Sequence, residues 1–83
     1  LGEGQALAEQ GDTREAARRY LRVFSDYPEA EAAPEALYRL GRSLGDLGST
    51  TEACLTLSEV AARYPASDFV APAAEARTDL ACE

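Results

Sequence analysis

Sliding the 83-residue chain against itself by 37 residues aligns Gly4 with Gly41, Leu7 with Leu44 and Gly11 with Gly48. The same offset aligns Thr13 with Thr50, Glu15 with Glu52, Ala16 with Ala53 and Val23 with Val60. Tyr27-Pro28 falls on Tyr64-Pro65 and Ala36 on Ala73, giving ten identities in the 46 pairs available. Chance would give about three, and a fixed period of this size is the mark of a solenoid. Such a chain is built by stacking one supersecondary unit, because a single unit cannot bury its apolar face alone.

Inside the unit the apolar spacing is helical. Leu37, Leu40, Gly41, Leu44 and Leu47 follow an i, i+3, i+4, i+7 rhythm, as do Ala53, Leu57, Val60, Ala61 and Tyr64, and no stretch shows sustained strand alternation. Leu47-Gly48-Ser49 reads as a helix stop, with Ser49 and Glu52 spaced for a capping box. Asp12-x-x-Glu15 after Gly11 repeats that design, and Pro34 and Pro72 suit first helical turns, where no amide proton is needed. These signals predict an all-α antiparallel helical-hairpin solenoid of five helices, near residues 1–10, 13–27, 34–47, 50–64 and 69–81. Repeat one then covers about 1–33, repeat two about 34–68, and a capping helix about 69–83, whose stripe of Val70, Ala73, Ala74 and Leu80 is thin. Tyr20, Phe24, Tyr27 and Tyr64 follow the inner stripes and are expected in the core.

Composition narrows the function. The chain has no histidine, and its rows hold no lysine, methionine or tryptophan, so histidine acid/base work, Schiff-base chemistry and a P-loop lysine have no residue to carry them. The carboxylates fall on exposed helical positions with no apolar pocket to raise one pKa, so neither an enzyme nor a cofactor is expected. With 8 basic against 15 acidic residues the net charge is −7, which opposes binding to nucleic acid or anionic lipid. No apolar run is long enough to span a bilayer. A start at Leu1 without methionine or signal peptide is read as that of a fragment of a longer protein. Cys54 and Cys82 are too few for a zinc site and leave two readings open, a disulfide or two buried thiols.

Leu37, Leu40-Gly41, Leu44, Ala53, Leu57, Val60 and Pro65 resemble the tetratricopeptide repeat (TPR) signature, and Gly4, Leu7, Ala16, Tyr20, Val23 and Pro28 fill the preceding unit. Physically, Gly41 and Ala53 allow two helix backbones to approach, and Pro65 stops the second helix. The Tyr-Pro that ends both units, the lengthened period and the run Ala36-Leu37-Tyr38-Arg39-Leu40-Gly41 resemble more narrowly the C-terminal repeat domain of the CpoB (YbgF) family of the Tol-Pal system, with BamD-like lipoproteins the nearest rival. The likeness implies a periplasmic protein of a Gram-negative bacterium, with a coiled coil ahead of the repeats that could supply a homo-oligomer. It further implies binding to TolA and a role linking cell-wall synthesis to outer-membrane constriction at division. A periplasmic setting implies a Cys54–Cys82 disulfide.

In such arrays the first helices of each hairpin line the concave groove. Here the outward positions of those helices are Gln5, Glu9, Glu35, Tyr38, Arg42, Asp46, Glu75 and Asp79, a mainly acidic set with one aromatic and one arginine. It suits a basic, or alanine- and lysine-rich, helical segment of the kind TolA's family carries, with Tyr38 as anchor.

Overall fold

The computed structural model describes residues 2–82, with side chains from Gly11 onward. Four helices follow in order: α1 (Gly2–Asp26), α2 (Ala32–Asp46), α3 (Thr50–Arg63) and α4 (Val70–Asp79), with no strand among the described residues. Each packs chiefly on its neighbour in sequence, α1 on α2, α2 on α3 and α3 on α4, while α4 reaches α2 only lightly. This is the succession expected of stacked hairpins.

Leu37, Leu57, Val60 and Ala73 form the buried cluster, and Phe24, Tyr38, Tyr64, Phe69, Val70, Ala76 and Leu80 pack around it. Gly41 governs the closest approach. A Cβ placed there would lie 2.6 Å from both Cγ and Cδ2 of Leu57, so α2 can meet α3 at this depth only because the side chain is absent. Gly45 admits Leu80 in the same way, its virtual Cβ lying 3.1 Å from the leucine. Leu40 and Ala53 are also buried, whereas Leu44 and Ala16 are half-buried; in the first unit Ala17, one step along, takes the buried place expected of Ala16.

The helix ends follow from local chemistry. At the end of α2, Gly48 sits at φ +86°, the Ser49 amide donates to the Leu44 carbonyl and the Gly48 amide to Gly45, which is a Schellman motif. At the end of α4 the same pair of bonds recurs, Cys82 to Arg77 and Ala81 to Thr78, but the left-handed position is filled by Ala81 at φ 58°. Pro34 and Pro72 fall in the first turns of α2 and α4, as the sequence predicts.

Two local expectations fail. Ser49 precedes α3, but its side chain makes no capping bond: the residue sits at ψ 63°, away from the extended backbone from which a serine hydroxyl reaches the first amides. More consequentially, the helices expected at 1–10 and 13–27 are one continuous helix, α1. Neither glycine has anything within 4 Å of a Cβ; what differs is the backbone, since Gly48 takes the left-handed φ of +86° between the packed helices α2 and α3, whereas Gly11 lies inside α1. The helix-forming run through Glu15, Ala16 and Ala17 carries the helix across the glycine, at a local cost of about 1 kcal/mol. The side chains of Gly4, Gln5, Leu7 and Glu9 lie outside the described residues.

The Tyr-Pro signal acquires a physical meaning. The Tyr64 hydroxyl donates to the Pro28 carbonyl, so the tyrosine ending one unit ties itself to the proline ending the previous one. Phe24 meets Tyr64 edge-on at 6.4 Å between centroids, and the Arg63 guanidinium lies 5.2 Å from the Phe24 ring centre. Tyr27, expected in the core, is 66% exposed, because no earlier Tyr-Pro end within this chain receives it. Finally, Cys54 and Cys82 form a disulfide with Cα atoms 5.7 Å apart, fastening the end of α4 to the first half of α3.

Candidate functional site

Helical geometry divides α2 into faces. Leu37 and Leu40 point to the core, Gly41 meets α3, and Glu35, Arg42 and Asp46 share the side left toward solvent. The long side chains there are organised rather than free. Glu35 accepts a hydrogen bond from Arg39 Nε at 2.9 Å, and this bond, followed by the charge of Glu35, holds the Arg39 pKa above its ordinary value. Arg42 Nη1 donates to the Tyr38 hydroxyl at 3.3 Å, and its guanidinium carbon lies 5.8 Å from the centre of that ring.

Tyr38 does not project freely, as an anchor standing out from the groove would. Its ring is half-buried and packs against Phe69 at a centroid distance of 5.6 Å, bridging α2 to the start of α4. The hydroxyl end stays beside Arg42, so the residue is part core and part surface. Arg42 turns to this tyrosine rather than to Asp46, which is exposed. Glu75 and Asp79 are exposed on α4. The structure therefore brings Glu35, Tyr38, Arg42 and Asp46 together on α2, while Glu75 and Asp79 lie on α4, which touches α2 only lightly.

Three contributors escaped the sequence reading. Arg39 tempers the acidity expected of this face, and its spacing of four from Glu35 was the available signal. Phe69, ahead of the capping helix, supplies the second aromatic ring. Tyr20, read as a packing residue, is half-buried and lines a cleft with Arg39, Arg42, Ser43 and Asp46. That cleft adjoins a larger one of about 360 Å³ between α1 and α2, lined by Tyr20, Val23, Ala32, Glu35, Ala36 and Arg39.

A second surface feature lies elsewhere. Leu21 on α1 and Leu55 on α3 are 48% and 63% exposed and rim a groove to which Leu37 and Leu40 of α2 also contribute. Both leucines fall off the apolar stripes that mark the core, so periodicity alone does not single them out.

Antiparallel helices stacked in chain order on a 37-residue period, with a glycine seated on a facing leucine, define a helical-repeat domain. The family model for the tetratricopeptide repeat matches residues 1–30 and 35–67, and the chain belongs to that family. Its repeats are those of a protein–protein interaction module, and such domains are generally non-catalytic. No match was found among curated proteins or among solved structures. Among the described residues, no helix is long and apolar enough to cross a membrane.

Proposed function

We propose that this domain is a partner-recruiting adaptor that holds a helical segment of another protein against the outward face of α2 and the adjoining part of α4. The observation that carries this reading is the cluster of Tyr38, Phe69 and Arg42, two rings and a guanidinium held in place by mutual contacts at the surface. Aromatic and arginine side chains fixed in this way are the residue types that dominate binding energy at interfaces. The net charge of −7, with Asp46 exposed on the same face and Glu75 and Asp79 exposed on α4, favours a basic partner and speeds its encounter.

In its finer form the proposal is a periplasmic adaptor of the Tol-Pal type, receiving an alanine- and lysine-rich helix such as TolA's and linking cell-wall synthesis to outer-membrane constriction. Support comes from the Tyr-Pro endings of both units, with the tyrosine-to-proline bond they make, and from the disulfide, since such bonds persist in oxidising compartments. Fluorescence anisotropy of an alanine- and lysine-rich helical peptide titrated with the protein tests it. Saturable binding that weakens with salt, and falls about fivefold to thirtyfold with Tyr38→Ala, is expected. Binding indifferent to both salt and Tyr38→Ala would refute it.

A second reading, a scaffold that self-associates or docks onto an outer-membrane assembly in the BamD-like manner, is favoured by the exposed Leu21 and Leu55. It requires a mass in sedimentation that rises with concentration and reverts to that of the monomer with Leu55→Glu.

A further inference from the structure

We propose that the groove between α1 and α3 is a dimer interface, occupied by a second copy of this chain related by a twofold axis that runs along the helices. The inference rests on the self-associating reading above and gives it a geometry and pairing residues. Leu37 and Leu40 of α2 floor the groove, with Leu21 of α1 on one rim and Leu55 and Glu59 of α3 on the other. The two rim leucines are exposed, so the groove calls for apolar cover.

The charges on the rims select the occupant. Arg14, Arg18, Arg19 and Arg22 of α1 are four of the eight basic residues in a chain of net charge −7. Arg19 pairs with Glu15, but Arg14, Arg18 and Arg22 make no ion pair with any described residue. On α3 the charge is reversed: Glu52 and Glu59 lie three residues before and four after Leu55, on its face of the helix. An acidic helix in the groove would meet Glu52 and Glu59 on one rim, and a basic helix would meet the arginines on the other. A second copy that lays its α3 against α1 avoids both repulsions.

The internal repeat supplies the register. Short loops at 27–31 and 47–49 make α1 and α3 each antiparallel to α2, so the two run parallel. The 37-residue period equates Arg22 with Glu59 and Asp26 with Arg63, opposite charges at equivalent positions of the two helices. A twofold axis along the helices exchanges α1 and α3 without reversing them. It sets Arg22 against the partner's Glu59 and Asp26 against the partner's Arg63, each pair occurring twice, with the leucines enclosed between. Glu59 already holds Arg63 at 2.6 Å within one copy, so the four charges join in one network. Leu37 and Leu40 lie on the opposite side of α2 from Arg42 and Asp46, so the dimer keeps both adaptor faces open and is bivalent.

Sedimentation velocity over a concentration series, with circular dichroism to confirm the fold, tests the pairing. The unsubstituted protein should pass from monomer to dimer. Arg22→Glu and Glu59→Arg should each weaken the dimer by about tenfold to a hundredfold, since each puts like charges together twice. An equimolar mixture of the two variants should recover it, because the heterodimer again opposes unlike charges in both pairs. Association that Leu55→Glu abolishes, but that the charge reversals leave unchanged or the mixture fails to restore, overturns this geometry while the self-associating reading stands. A monomer at every concentration overturns both.

Discussion

Removing the disulfide with Cys54→Ala and Cys82→Ala tests how the last helix is held. α4 is ten residues long and buries only Ala73 fully, with Phe69, Val70, Ala76 and Leu80 half-buried, so it brings little apolar area to its own docking. The bond closes a loop with a sequence separation of 28, and its chain-entropy contribution at that length is about 3.6 kcal/mol at 25 °C. That is a large share of the stability a domain of this size possesses. Urea denaturation of the oxidised protein and the double variant, followed by circular dichroism, should show a loss of about 3 kcal/mol. Hydrogen exchange locates it: amides of α4 should lose protection first, while those of α2 and α3, joined through Gly41 and Leu57, keep theirs. A loss below about 1 kcal/mol, or exchange accelerated equally in all helices, would refute the view that α4 is pinned chiefly by this bond.

Other substitutions read single contacts. Gly41→Ala should destabilise by about 1–3 kcal/mol in a urea titration, because the new methyl meets Leu57 at 2.6 Å, and an unchanged midpoint would mean the helices can separate freely. Ala81→Gly should stabilise by up to about 1 kcal/mol by relieving the left-handed alanine at φ 58°, whereas Gly48→Ala should cost about 1–2 kcal/mol; thermal melts of the two variants moving in the same direction would contradict this. Tyr64→Phe should cost about 0.5–1.5 kcal/mol by removing the bond to Pro28, while Tyr27→Phe, at an exposed site, should leave the melting temperature unchanged.

Much of this architecture is written in the spacing of a few residues. The helical rhythm of Leu37, Leu40, Leu57 and Val60 announces the core, Gly41 announces the close approach, and Gly48 announces the turn, because each is dictated by local packing or backbone sterics. Gly11 carries the same signal as Gly48 without the same outcome, since a glycine permits a turn without imposing one and the helix formers after it can carry α1 through at modest cost. Tyr27 and Tyr64 each precede a proline at the end of a unit yet differ in burial, because the partner of Tyr64 is supplied by the preceding unit. At the candidate face, periodicity places Glu35, Arg42 and Asp46 outward. It does not reveal that Tyr38 leans on Phe69 or that Arg39 pairs with Glu35, since rotamers and contacts between helices decide those.

The most direct test of the account is a map of backbone amide shifts by nuclear magnetic resonance as an alanine- and lysine-rich helical peptide is added at low salt. Shifts concentrated on residues 35–46 and 75–79, and suppressed by Tyr38→Ala, are the predicted result. Shifts centred on Leu21 and Leu55, or none at saturating peptide, would contradict it.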